Sequence, residues 1–254
     1  GGPVSEGPPP GRVRITSTEG WLAAAVDAIE EPLTRALRSV DGPVHIGLSG
    51  GSTPRPVYRA LAERGQVDWG RVVVLPADER FVPEGDPDSN HGMIRDALSP
   101  EAGQRLRMPF FGRIEGRGLP ETAGALADAL PPHLDLLVLG IGEDGHTGSL
   151  FPGDPRLLQF GLLEPGDSRS GRSGPGTAGS TLTVVDSPKP PVERVSITPA
   201  VIASARAVVV LARGTGKAEA VGRALRGLWD PVGTPGQWAR SGSWVLDPAA
   251  ASAL

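Results

Sequence analysis

The stretch LDLLVLGIGEDGHTGSLFPG, residues 134–153, decides how this chain is read. It opens on the most apolar strand-like run of the sequence, LDLLVLG (134–140), and continues as Gly140-Ile-Gly-Glu-Asp-Gly145, which fits the pattern G-x-G-x-x-G. A dinucleotide-binding turn of that pattern needs a helix beyond its third glycine, long enough to pack on the sheet. Here Pro152, Gly153 and Pro155 interrupt any helix after a turn or two. The glycines therefore shape a tight exit from a buried strand, and the chemistry moves to Asp144-Gly145-His146. A histidine at the carboxyl end of a strand titrates near neutrality and can act as general base toward water. Asp144 can fix its tautomer, because Gly145 permits the turn that lets residues two apart converge. The ordinary alternative is a histidine satisfied inside its own loop.

Outward from this stretch, strands and helices alternate. Strands are predicted at 44–49, 72–75, 194–198, 205–212 and 241–247. Helices are predicted from Trp21 to about Val40, with apolar Leu22, Ala25, Val26, Ile29, Leu33 and Leu37 at helical spacing, and over 54–64, 89–98, 121–130 and 214–227. A short Ala-rich helix closes the chain. The runs 72–75, 135–139 and 207–211 are almost continuously apolar, as in strands buried on both faces. Such strands build a mainly parallel sheet covered by helices, an α/β architecture. Residues 1–12 are Gly/Pro-rich and read as a disordered tail, and residues 13–254 as one domain. The segment 152–193, dominated by Pro, Gly and Ser, reads as a long loop, flexible near 168–180.

Composition narrows the function classes. The formal charge of −4 argues against a nucleic-acid partner, and no apolar run is long enough for a membrane span. Cysteine is absent, which excludes disulfides and thiolate chemistry and fits a cytoplasmic protein. Lysine occurs only at Lys189 and Lys217 in a chain that otherwise relies on arginine, so both positions carry information.

In open α/β sheets, ligands bind beyond the carboxyl ends of the strands. Besides the Asp144/His146 turn, three such loops carry chemistry-bearing residues. In SGGSTPRPVY (49–58), Gly50 and Gly51 let the backbone approach a ligand while Ser52 and Thr53 stand at a helix N-terminus, a setting that favours phosphate. A plain strand-to-helix turn with a Ser/Thr cap would look the same. In ADERF (77–81), Asp78 and Glu79 follow an apolar strand and Arg80 can clamp an oxyanion, although a self-neutralising solvated loop is the simpler reading. In RGTGKAEAV (213–221), Lys217 stands at a helix start behind Gly214 and Gly216. A lysine there opposes the helix dipole, which a bound phosphate would explain. Together these loops point to an enzyme acting on a small phosphorylated metabolite.

The four loops, in this order, resemble the 6-phosphogluconolactonases, within the superfamily that also holds glucosamine-6-phosphate isomerase/deaminase. The likeness runs from about residue 14 to 254 through LSGGSTPRPVY, DERFVPEGDPDSNHGMIRDAL, LGIGEDGHTGSLFPG, DSPKPPVERVSIT and GTGKAEAV. It implies a Rossmann-like three-layer α/β/α fold and hydrolysis of 6-phospho-D-glucono-1,5-lactone to 6-phospho-D-gluconate in the pentose phosphate pathway. No metal and no organic cofactor is implied. Carried onto this chain, the resemblance makes His146 the base that activates water, with Asp144 orienting it. Arg80 stabilises substrate or oxyanion, and Asp78 supports it. Gly50, Gly51, Ser52, Thr53 and Lys217 hold the 6-phosphate, while Arg194 and Lys189 are further candidates for sugar or phosphate contact. The implied partner is a small sugar-phosphate lactone. The oligomeric state stays open, a monomer being compatible with it.

The rival branch, the deaminases, carries a glutamate five residues after the histidine, in an HIAFNEP-like stretch; here that position is Phe151. A non-catalytic sugar-phosphate binder would keep the anion loops but has no use for the Asp144/His146 pair. Gly148, where lactonases more often have Ala, is a sterically mild departure from the pattern.

Overall fold

The computed structural model describes residues 6–161, 163 and 179–254. Its main sheet is built from β1 (Val13–Ile15), β2 (Val44–Leu48), β3 (Val72–Pro76), β5 (Leu136–Leu139), β8 (Val208–Ala212) and β9 (Ser243–Leu246), in the order β1-β9-β8-β5-β2-β3, and every pairing in it is parallel. The α-helices are α1 (Trp21–Ser39), α2 (Arg55–Glu63), α3 (Asn90–Ala102), α4 (Leu119–Ala129), α5 (Pro199–Ser204) and α6 (Ala218–Arg226). The expected mainly parallel α/β fold is what forms.

The apolar runs are explained by where alternate side chains go. Leu136 and Val138 join one buried cluster, with α1, α2 and α3, while Leu137 and Leu139 join another, with α4, α5 and α6. Val209 and Leu211 divide from Val210 and Ala212 in the same way. A strand buried on both faces has no polar side to show, so its sequence loses the period of two. Helix α1 shows the opposite case. Its buried face is Trp21, Ala25, Val26, Ile29, Leu33 and Leu37, and Leu22, counted in that face from sequence, stays 39% exposed in the first turn although it shares the helical spacing.

Four sequence expectations need correcting. The ADERF loop contains a strand, β4 (Asp78–Arg80), which pairs antiparallel with β7 (Arg194–Ile197). Strand β7 therefore leaves the main sheet and joins a three-stranded antiparallel sheet, β4-β7-β6. The third member, β6 (Thr181–Val184), lies inside what reads as a loop from 152 to 193, as does a 3-10 turn at Pro155–Phe160. The Ala-rich C-terminus forms successive turns rather than an α-helix. Short polar strands carry too few alternations to register as a period, which is why composition hid β4 and β6. The expected flexible segment 168–180 lies outside the described residues, apart from 179 and 180. Residues 6–12 of the expected tail run beside the C-terminal part of the chain, with Pro8 buried and Gly11 N donating to Arg240 O at 3.0 Å.

The chain crosses from β2 outward to β3, and β5 then joins on the other side of β2. The carboxyl ends of β2 and β5 therefore flank a point where the winding reverses, the place where such sheets open a crevice.

Candidate active site

That crevice is a cavity of about 390 Å³, and of the site residues the resemblance carried onto this chain, all but Asp144 line it. Asp144 stands directly behind His146. Its Oδ1 lies 2.6 Å from His146 Nδ1 and also accepts the His146 backbone N–H at 3.0 Å. The turn that brings them together is closed by Gly145 N to Gly142 O at 2.9 Å and Gly142 N to His146 O at 2.8 Å, with Gly145 at φ +95°. Only glycine adopts that φ without strain. Partial burial works to raise the Asp144 pKa, but the His146 backbone N–H, the charge of its ring and its side-chain hydrogen bond outweigh it and hold the carboxyl below its usual value. An ionised Asp144 accepts a proton-bearing Nδ1, so Nε2 is the nitrogen left to face a reactant. Phe151 packs on this ring with centroids 5.1 Å apart, and the Arg194 guanidinium carbon sits 5.7 Å from the centre of the Phe151 ring.

The antiparallel β4–β7 pair places Arg80 directly opposite Arg194. Like charges facing across a ladder are unfavourable, and neither arginine has a carboxylate ion pair among the described residues. Arg194 is 5% exposed and spends its guanidinium on two carbonyls, Pro191 O at 3.0 Å and Lys189 O at 2.9 Å. Burial, and then the neighbouring Arg80 charge, push its pKa down. Arg80 Nη1 donates to Asp88 O at 2.8 Å, while its buried Nε has no partner among the described residues. The buried hydroxyl of Ser49, also on the cavity wall, lacks one too.

Asp78 is 6% exposed, with Oδ2 accepting the Ser149 hydroxyl at 2.6 Å and its main-chain carbonyl accepting Asn90 Nδ2 at 3.0 Å. Its neighbour Glu79 points away from the cavity. It caps α3 by accepting the backbone N–H groups of Asn90 and His91, each at 2.8 Å, together with Arg80 N at 2.7 Å. Burial is the largest influence on Glu79 and pushes its pKa up, against the pull of those three donors. The two adjacent carboxylates of the sequence thus have unrelated jobs, set by the alternation of a strand.

Gly50, Gly51, Ser52 and Thr53 lead into α2 along the cavity. A Cβ at Gly50 would stand 2.0 Å from Asn90 Oδ1, so that glycine makes room for the asparagine. Lys217 closes a 3-10 turn, Thr215–Lys217, and caps α6, with the turn anchored by Gly214 N to Asp247 Oδ1 at 3.0 Å. Lys189 lines the cavity beside Pro190. Sequence reading placed Asn90 only within the predicted helix 89–98 and gave neither it nor Ser149 a site role. Nothing local marks either, since Asn90 joins the cavity wall and Ser149 holds Asp78 from behind it through contacts with β4, 12 and 71 positions away. Among the described residues no helix is long and apolar enough to cross a membrane, and no group of His, Cys, Asp and Glu is arranged to hold a metal ion.

The model of the family described as glucosamine-6-phosphate isomerases/6-phosphogluconolactonase matches residues 16–246. The chain belongs to this family. Within the family, a 6-phosphogluconolactonase of Pseudomonas aeruginosa is 35% identical over 214 residues, spanning 81% of this chain and 83% of that protein. The 6-phosphogluconolactonase of Rattus norvegicus is 31% identical over 262 residues, spanning 97% and 95%. The solved structure of 6-phosphogluconolactonase from Trypanosoma brucei superposes with a TM-score of 0.74 at 26% identity, covering 96% of this chain and 98% of that one. The family's fold and this chain's fold agree along nearly the whole described length.

Proposed function

We propose that this protein hydrolyses 6-phospho-D-glucono-1,5-lactone to 6-phospho-D-gluconate, the lactone-opening step of the oxidative pentose phosphate pathway, as a cytoplasmic enzyme in which residues 13–254 act as one unit. The observation that carries this reading is the 2.6 Å Asp144–His146 pair at a cavity lined by cationic groups without carboxylate ion pairs among the described residues. With Nδ1–H held by Asp144, the Nε2 lone pair takes a proton from water as that water adds to the lactone carbonyl. Negative charge develops on the former carbonyl oxygen, and Arg80, with its unpartnered Nε, stabilises it. Collapse of the tetrahedral intermediate breaks the bond from the carbonyl carbon to the ring oxygen, and the imidazolium returns its proton to that oxygen. Asp78, fixed by Ser149 and Asn90, receives a sugar hydroxyl. The Gly50–Thr53 loop and Lys217 hold the 6-phosphate, and Arg194 and Lys189 contact sugar or phosphate. The relatives named 6-phosphogluconolactonase support the substrate, and Phe151 supports lactone over amino sugar, because an apolar ring there supplies no acid or base for opening an amino-sugar ring.

The test is a coupled assay with freshly generated lactone, corrected for spontaneous hydrolysis and run beside glucosamine 6-phosphate. His146→Ala is expected to reduce hydrolysis nearly to background while 6-phosphogluconate still binds. Turnover near that of the unmodified protein would overturn the base assignment, and activity on the amino sugar alone would overturn the substrate.

A further inference from the structure

A second cavity, of about 360 Å³, lies at the other end of the main sheet, where β8 and β9 begin. Its walls come from β1, the strand starts at Val208 and Ser243, and the outer face of α1 at Ala28, Glu31, Pro32 and Arg35. Four arginines line it, Arg12, Arg14, Arg35 and Arg206, against a single carboxylate, Glu31. This excess of positive charge runs against a chain whose formal charge is −4.

The sequence places two of these guanidiniums deliberately. Arg14 lies in edge strand β1 and Arg12 just before it, with Arg12 O accepting the Trp244 N–H at 2.8 Å, so the two, two apart in extended chain, share a face. Val13 between them packs into the cluster beneath the sheet, which turns both arginines toward α1. Arg35 pairs with Glu31 one helical turn earlier, and Arg206 Nε lies 3.6 Å from Asp135 Oδ1. The side chains of Arg12 and Arg14 have no hydrogen bond or ion pair among the described residues. Beneath them the floor is apolar, formed by Val209 and Val245 on the α1 side of the sheet. The Ser241–Ser243 segment adds hydroxyl groups at the rim.

We infer that this groove is a second anion-binding site, separate from the candidate active site, and that it takes a phosphate monoester carrying a compact apolar body. A guanidinium matches phosphate oxygens bidentately, and two uncommitted ones side by side favour a dianion over a monocarboxylate. The cavity volume lies within the ~300–1,000 Å³ typical of small-molecule sites, and its apolar floor accepts the body of such an ester. The cavity shares no lining residue with the candidate active site.

The probe is phenyl phosphate, titrated calorimetrically into the Lys217→Ala protein, in which the active-site phosphate position is weakened. The expected result is saturable binding that falls at least tenfold on adding Arg12→Gln and Arg14→Gln, with benzoate binding far more weakly in both. In an otherwise unmodified chain, Arg12→Gln/Arg14→Gln is expected to leave lactone turnover unchanged. As a measurement needing no variant, phenyl phosphate is expected to shift the backbone amide resonances of Gly242–Trp244 in the unmodified protein. Unaltered binding in the arginine variant, or resonance shifts confined to the Gly50–Thr53 and Gly214–Lys217 loops, would overturn the site. Heat that does not saturate would do the same, since it reports only diffuse charge.

Discussion

A Cβ on Gly142 would stand 2.1 Å from Nδ1 of His146 and 2.7 Å from Oδ1 of Asp144. The middle glycine of the G-x-G-x-x-G stretch is thus a socket for the histidine–aspartate pair and not a seat for a phosphate. Gly142→Ala must push the pair out of position, because Gly145 and the two backbone hydrogen bonds of the turn leave little room to give. A displacement near 1 Å costs about 10²-fold in rate where a reactant must be aligned. We expect kcat to fall by about that factor with a much smaller change in melting temperature, measured by steady-state kinetics and thermal unfolding.

Asp144→Asn preserves shape but removes the negative charge and lets an amide N–H compete for His146 Nδ1, so the tautomer is no longer fixed. Analogous substitutions elsewhere cost up to ~10⁴-fold in kcat. Because Asp144 is partly exposed, ~10²- to 10⁴-fold is expected here, with KM little changed.

The same substitution has a pH signature. The folded-state pKa of Asp144 is held below its ordinary value of 3.8. The unfolded chain therefore binds the proton more readily, and the ionised carboxylate contributes stability that is fully present above 3.8 and is lost as pH falls through the folded value. Urea unfolding of the unmodified protein and Asp144→Asn should show a stability gap near neutrality that narrows below 3.8. A gap that widens on acidification would contradict the assigned partner.

Phe151 touches both ends of the chemistry, the His146 ring and the Arg194 guanidinium. Phe151→Leu keeps an apolar side chain but removes the ring face that both neighbours use. Cation–π contacts contribute about 0.5–2 kcal/mol, so a loss of roughly 2- to 30-fold in kcat/KM is expected. Phe151→Tyr, which retains the ring, should recover most of it.

In the proposed reading, Lys217→Ala removes a charge that holds the phosphate equally in the ground and transition states. KM is expected to rise with kcat nearly unchanged, as uniform binding requires. An unchanged KM would move the phosphate toward Arg80 and Arg194.

The sequence by itself determined the parallel sheet, because only strands buried on both faces read as LLVL or VVVLA without polar interruption. It also determined the Asp144-Gly145-His146 turn, whose partners are two residues apart and whose geometry is local. What the tertiary structure decided is long-range. The small antiparallel sheet sets Arg80 against Arg194, 114 positions apart by number, by pairing β7 with β4, a short polar strand that leaves no periodic trace. It separates Asp78 from Glu79, sending one carboxylate to the cavity wall and the other to cap α3. Asn90 and Ser149 enter the site by the same route, through contacts to β4 that no neighbouring residue announces. Local geometry is written in spacing, whereas the meeting of charged side chains across a cavity depends on which strand ends the sheet brings together.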